Sequence, residues 1–449
     1  MAREDMLNNR LNEFINDVVY GDESFEQSVN ILGNEISINK ISNRVALFTA
    51  LTNMAINVTG GINNVVVGNF NNTVEAVGSR FWGKKDWMWA QKQYASELPK
   101  CIGELAGMTH SPLNALADHY DIPQGEFQDH YGNHVSKGQV NRLMKTSTLF
   151  FLQKGGEHQI QLTAMLSLMH KTLVTKKENN EDYTLYEAWK SVDGDFNALQ
   201  SKFDWSASDD VAFRNRLHAI VKNLHGVYNS FDKSVLQRRW YGKLALMFRK
   251  YLFKAFQSRY GSTYVDYELG DEDGGYWRAF ANKLVADVKE YKWAAFQKMW
   301  TKEGYTDFQK SAFNKTLYEL ATIAAVFALI GFASAPPDDG KKKTWLDNEM
   351  ALQLTRFSAD ITQYINPSDF LRVIRNPAAS VNMMENWIGW WTQLLTNPTE
   401  QYQRASGIAK AGDNKLYIKT LKLMPVIRQM ISLMTPEEQL KFYKLTGRN

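Results

Sequence analysis

Cysteine is almost missing from this chain: Cys101 is the only one in 449 residues. That excludes a disulfide framework and a Cys-based zinc site, and it fits a reducing compartment. Proline and glycine are scarce too, 10 and 28 in number, too few for a large β-sandwich or a disordered linker protein. Neither sign of charge dominates. With a formal charge of +4 the chain is no general nucleic-acid coat, so any anion binding must be local. The opening MAREDMLNNRLNEF lacks an apolar signal region, and a host secretory route is not expected. Also missing are a Walker loop, a dinucleotide fingerprint, a Gly-x-Ser-x-Gly elbow and a paired-carboxylate signature. A catalytic hypothesis is left without a named residue, and the expectation is a non-enzyme with no cofactor and no metal.

Aromatic residues are plentiful. Thirteen tryptophans and 24 phenylalanines supply core, or contact surface for neighbours. Apolar residues recur mostly at helical spacing, which predicts an all-α fold, an elongated array of long amphipathic helices with little or no sheet.

The stretch 233–260, KSVLQRRWYGKLALMFRKYLFKAFQSRY, contains no acidic residue and no proline. On a helix, Arg238, Arg239, Lys243, Arg249, Lys250 and Lys254 fall within an arc of roughly 160°. Trp240, Tyr241, Leu244, Phe248, Tyr251 and Leu252 fill most of the opposite side, while Leu246, Phe253 and Phe256 intrude on the cationic one. Such a helix is either a core helix whose basic chains snorkel to water, or one that faces an anionic neighbour such as phosphate or a membrane interface.

Residues 45–74 carry no charge at all. Asn57, Asn64 and Asn71 recur every seventh residue, and Gly61 and Gly68 share that period. Asn and Gly are poor helix formers, but the heptad spacing argues for a helix with a small-residue stripe that permits close approach. An ordinary buried helix with bonded amides and a helix lining an interface both fit. A second apolar run, residues 320–335, includes Leu320, Val326, Phe327 and Ile330 and stops at Pro336-Pro337 before three lysines. At sixteen residues it is short for a hydrocarbon core and reads as a central core helix, with membrane insertion as the alternative.

Histidine offers a weaker signal. His119 and His130 sit in echoing Asp-His-Tyr triplets and His134 lies four residues beyond His130, but glycine and proline interrupt the helix a zinc pair would need. A Glu157-His158 pair follows Gly155-Gly156, read as a joint between helices. The acidic stretch 266–275 lacks calcium-hand spacing and reads as a solvated loop, or one docked on basic residues, and 176–182 as a charged link. The chain divides into an arm (1–43), a helical region with the Asn/Gly heptads and the basic-aromatic helix (44–261), an aromatic and an apolar helix (262–340), and a C-terminal helical region (341–449) broken at Asn-Pro pairs.

Three blocks, EAVGSRFWGKKD (75–86), GGEHQIQLTAMLSLM (155–169) and LHGVYNSFDKSVLQRRWYGKLALMFRKYLFKAF (224–256), resemble in order and spacing the large internal virion proteins of crAss-like tailed bacteriophages. The resemblance spans roughly residues 44–377 and implies a cargo or ejection protein, held in the capsid or tail interior and delivered to the host envelope or cytoplasm with the genome. Implied partners are portal and tail proteins and further copies of the chain as a homo-oligomer, with genomic DNA and the host membrane as further contacts. A permanent tail ring or plug is the alternative, and a helical enzyme built on the histidine region a second one.

Overall fold

The computed structural model describes residues 28–31, 34–54, 58–105, 110–122, 151–226, 240–245, 250–266, 271–334 and 345–362, with isolated positions elsewhere. Among the described residues 79% are helical, in 14 helices, and the strands form only small antiparallel pairs. The fold is all-α. Its hairpins join β1 (Ser28–Ile31) to β2 (Asn34–Ser37), β3 (Leu173–Thr175) to β4 (Asp182–Thr184), and β5 (Tyr264–Asp266) to β6 (Asp271–Asp273). Two sequence expectations change here. The charged link at 176–182 is the turn of the second hairpin, where Leu173 pairs with Thr184. The acidic stretch at 266–275 supplies the third, where Tyr264 pairs with Asp273.

The larger core is built on α5 (Phe151–Lys171). Ten successive residues, 160–169, are buried, so this helix is enclosed on every side. Gly155 and Gly156 lie inside it rather than at a joint. Two interior glycines cost about 1 kcal/mol each, less than the roughly 1.5–3 kcal/mol gained on burying each of Leu162, Met165, Leu166, Leu168 and Met169. The hydroxyls of Thr163 and Ser167 donate back to the Gln159 and Thr163 carbonyls at 2.8 and 2.7 Å, so neither is left unsatisfied. The histidine and lysine of its last turn complement the negative end of the helix dipole.

Packed round α5 are α2 (Val58–Gly78), α3 (Lys84–Leu105), α6 (Leu185–Ser191) and α8 (Ala207–His225). Helix α6 starts at a capping box of Thr184 and Glu187, and α8 at one of Ser206 and Asp209. The shorter α4 (Pro112–His119) and α7 (Phe196–Lys202) close the rim, α4 capped by Ser111 with Pro112 in its first turn. Helix α9 (Trp240–Ala245) lies on α1 (Ile38–Met54), which continues directly from β2.

The second core is smaller. It gathers Phe70 and Val74 of α2, Tyr276 of α11 (Tyr276–Tyr291), Ala312 and Val326 of α13 (Asp307–Ser334), and Phe357 of α14 (Trp345–Thr362). Helix α2 therefore serves both cores. Helix α10 (Lys250–Tyr260) bridges α8 and α11, and α12 (Ala294–Thr301) follows α11. Along α13 polarity is reversed: Ser311, Lys315, Thr316 and Glu319 are buried in its first half, whereas Leu320, Phe327 and Leu329 of the apolar run are exposed. The run is not a central core helix, although Val326 is buried.

Candidate contact surfaces

Of the predicted cationic arc, Arg238, Arg239 and Arg249 lie outside the described residues. Lys243 belongs to α9 and Lys250 to the start of α10, with their side chains outside the description. Lys254 lines a cleft of about 130 Å³ between α2, the end of α8, α10, the third hairpin and α13. Glu75, Arg80, Arg259, Tyr276 and Lys315 line it too.

The floor of that cleft is a set of buried charges already spoken for. Lys315 Nζ donates to Glu75 Oε2 at 2.6 Å, and Glu75 Oε1 accepts the Phe81 amide at 3.0 Å. Glu319 accepts from Arg259 through both carboxylate oxygens, from Tyr276 Oη at 2.7 Å and from Trp277 Nε1 at 2.6 Å. Nearby, Asp287 takes Lys283 Nζ at 2.8 Å and Tyr305 Oη at 2.7 Å. Burial acts to raise the Asp287 carboxyl, but those two hydrogen bonds and the Lys283 charge hold it below its ordinary value. Burial, followed by the hydrogen bond to Asp287, pushes the Tyr305 hydroxyl up. Carboxylates saturated in this way are structural ties between helices.

The Asn/Gly heptads fall as follows. Asn57 lies outside the described residues. Gly61 and Gly68 are buried, and a Cβ at Gly68 would come within 2.2 Å of Ile160 Cδ1, so the small-residue stripe is where α2 meets α5. Asn64 lies close to Gly156 of α5, and Asn71 donates to the Leu224 carbonyl at 3.2 Å. The amides that tie the bundle together are two others. Asn69 exchanges hydrogen bonds with Gln91 and Gln159 across three helices, each at 2.8 Å in the shortest contact. Asn72, fully buried, donates to the Ile160 carbonyl at 2.9 Å and accepts from His225 Nε2 at 3.0 Å. Burial lowers the His225 ring to about 4, so it is neutral and its Nε2 carries the proton that Asn72 accepts. No seven-residue register marks Asn69 or Asn72, and His225 is 153 positions from its partner.

No family model, curated protein or solved structure matches this chain. The histidines must therefore be judged by their surroundings alone. His119 Nε2 meets Asp210 Oδ2 at 2.9 Å, stacks on Phe196, and its carbonyl accepts Arg214. Burial acts to raise the Asp210 carboxyl, but hydrogen bonds from His119 and Tyr120 and the Arg214 charge hold it down. His158 lies between Tyr94 Oη and Asn114 Oδ1, its ring lowered by burial. His170 bonds Asp86 at 2.6 Å and stacks on Trp89. Among the described residues no three histidine, cysteine or acidic side chains converge on one point, and His130 and His134 lie outside them.

What remains is apolar and exposed. Trp293 caps the start of α12 and Trp300 lies in its last turn, at 86% and 64% exposure, and Val285, Val288 and Phe296 are exposed as well. Phe327 and Leu329 of α13 are 52% and 51% exposed. The span Asp307–Ile330 is long and apolar enough to cross a membrane, and only 28% of its apolar window is buried. Scattered exposed apolar residues are ordinary in globular proteins. Large aromatics and aliphatics exposed along successive helices make α11 to α13 the candidate contact surface.

Proposed function

We propose that this chain is a structural protein of a tailed-phage particle that works by contact. In this reading it is a cargo or ejection protein, stored in several copies in the capsid, portal and tail channel and delivered with the genome. The observation that carries it is the exposed apolar surface of α11, α12 and α13, set over a core fastened by buried ion pairs. Such a surface suits stacking against another copy or against portal and tail subunits, and after release it suits the host envelope. The resemblance of blocks 75–86, 155–169 and 224–256 to internal virion proteins supports the setting, and saturation of the buried carboxylates described above supports a non-catalytic role. Genomic DNA would be met by the basic-aromatic stretch 233–260.

Quantitative mass spectrometry of purified particles before and after genome release, with protease protection, tests this. Several protected copies per particle that fall sharply after release are expected. An unchanged, protected copy number would assign the chain to a permanent ring or plug, and its absence from particles would remove the proposal.

A further inference from the structure

A second cleft, of about 540 Å³, opens between the turn after α2, the last residue of α5, the middle of α8 and the first turns of α13. Four cations line it, Arg80, Lys171, Arg216 and Lys310, against one carboxylate, Asp307. That carboxylate is almost fully exposed and engages only Lys310, three residues on, at 3.1 Å. Solvent screening leaves such a pair little strength. Lys171 Nζ donates to the Arg80 carbonyl at 2.9 Å, and no carboxylate lies within ion-pair distance of it among the described residues. Burial and then the charge of Arg216 lower the Lys171 ammonium, against a smaller opposing pull from Asp86 and Glu75.

Arg216 makes no hydrogen bond or ion pair among the described residues, and its Nε is buried without a partner. Arg80 donates to the Glu272 carbonyl at 2.8 Å and has Asp273 at 3.9 Å, but its Nε is likewise buried and unsatisfied. The Ser311 hydroxyl is a third buried donor with no partner, on a residue only 4% exposed. A buried donor left unmade costs about 1–3 kcal/mol, so three at one cleft call for an acceptor. Helix α13 begins at Asp307, and the positive end of its dipole adds to the same potential.

We propose that this cleft binds the phosphate group of a small molecule, with Arg80, Lys171 and Arg216 as charged ligands, Ser311 as a donor at its floor and Lys310 at its rim. A tetrahedral polyanion suits such a lining, because it offers several acceptor oxygens and up to two negative charges to clustered cations. A small ligand is favoured over a polymer because the cleft is a recess closed in by the ends of α2 and α5, the middle of α8 and the start of α13. The site is independent of the virion reading, and the residues of the basic-aromatic stretch take no part in it.

Isothermal titration of the full chain with inorganic phosphate and with pyrophosphate, at low salt, is the test. Saturable binding is expected, with pyrophosphate tighter. Arg216→Gln should weaken it about tenfold or more, and Ser311→Ala and Lys310→Ser by smaller factors of roughly three. Lys254→Ser, in the other cleft, should leave it unchanged. If Arg216→Gln does not fold, Lys310→Ser keeps the test open, because Lys310 is half exposed and holds only its neighbour Asp307. Absence of saturable binding by the folded wild-type chain, or equal affinities in the Arg216 and Lys310 variants, overturns the assignment. So does tight binding of an oligonucleotide that pyrophosphate cannot compete away, which would give the cleft to nucleic acid.

Discussion

The two cores of this protein solve the same problem in opposite ways. Around α5 apolar side chains fill the interior, and polar groups enter it mostly as neutral amides, hydroxyls and a neutral histidine, with the buried Asp210 carboxylate, held by His119 and Tyr120, as the exception. Around α13 the interior holds Glu75 with Lys315, Arg259 with Glu319, and Lys283 with Asp287, while large apolar residues of α11 to α13 face outward. The first arrangement is that of a self-sufficient domain. The second gives little apolar burial in isolation, and fastening helices by ion pairs fixes geometry more than it stabilises. Under the proposed function, that outer face is the one another surface covers.

The sharpest way to break the contrast is to remove one member of a buried pair. Glu75→Gln or Lys315→Met should each cost about 3–5 kcal/mol in urea unfolding, because the partner charge is left buried and alone. The double variant Glu75→Leu with Lys315→Met should regain much of that loss. If the single changes cost no more than a surface pair, the charges are not what holds α13 to α2.

Acid separates the cores next. His225 titrates near 4 in the folded chain, against about 6.5 unfolded. Its folded value is lowered, so the unfolded chain binds the proton first, and stability falls as pH drops from about 6.5 to about 4, with no further loss below that. Linkage sets the loss at up to about 3 kcal/mol, an upper figure because the residue is not wholly enclosed. His158, also lowered by burial, acts in the same sense. In the second core Asp287 is held below its ordinary value, so its contribution is present above about 4 and is lost only at lower pH. Amide exchange against pH should show α8 and the α2 segment around Asn72 loosening before α11. The reverse order would contradict a neutral His225 on α8 and an ionised Asp287 on α11.

Steric change should matter less. Gly68→Ala forces a methyl into the Ile160 side chain and should cost about 1–3 kcal/mol, partly recovered by Ile160→Val. At the outward face, Trp293→Ser and Trp300→Ser should shift chain stability by no more than about 0.5 kcal/mol. They should nonetheless reduce self-association in sedimentation and flotation with anionic vesicles. Unchanged behaviour in both assays would leave the exposed aromatics without a role.

The helices were legible in the sequence because α3, α5 and α13 carry long periodic runs, and the close approach at Gly68 was legible because only small residues repeat there. The second and third hairpins were not, since strands of three residues are too short for alternation to show. The joint at Gly155-Gly156 misled because local propensity is overridden where the following ten residues are buried. The interior ties were hidden by distance: Lys315 meets Glu75 240 positions away. A signal was nonetheless present, since Ser311, Lys315 and Glu319 follow one another at four-residue spacing in front of an apolar run. A polar stripe on one face of an apolar helix points inward as readily as outward when its charges can pair.

Hydroxyl-radical footprinting of Trp293 and Trp300, in the free chain and in purified particles, tests most directly that this protein works by covering its greasy face. Strong labelling of both tryptophans in the free chain, falling severalfold in the particle, is predicted. Equal labelling in the two states, from particles that contain the chain, would contradict it.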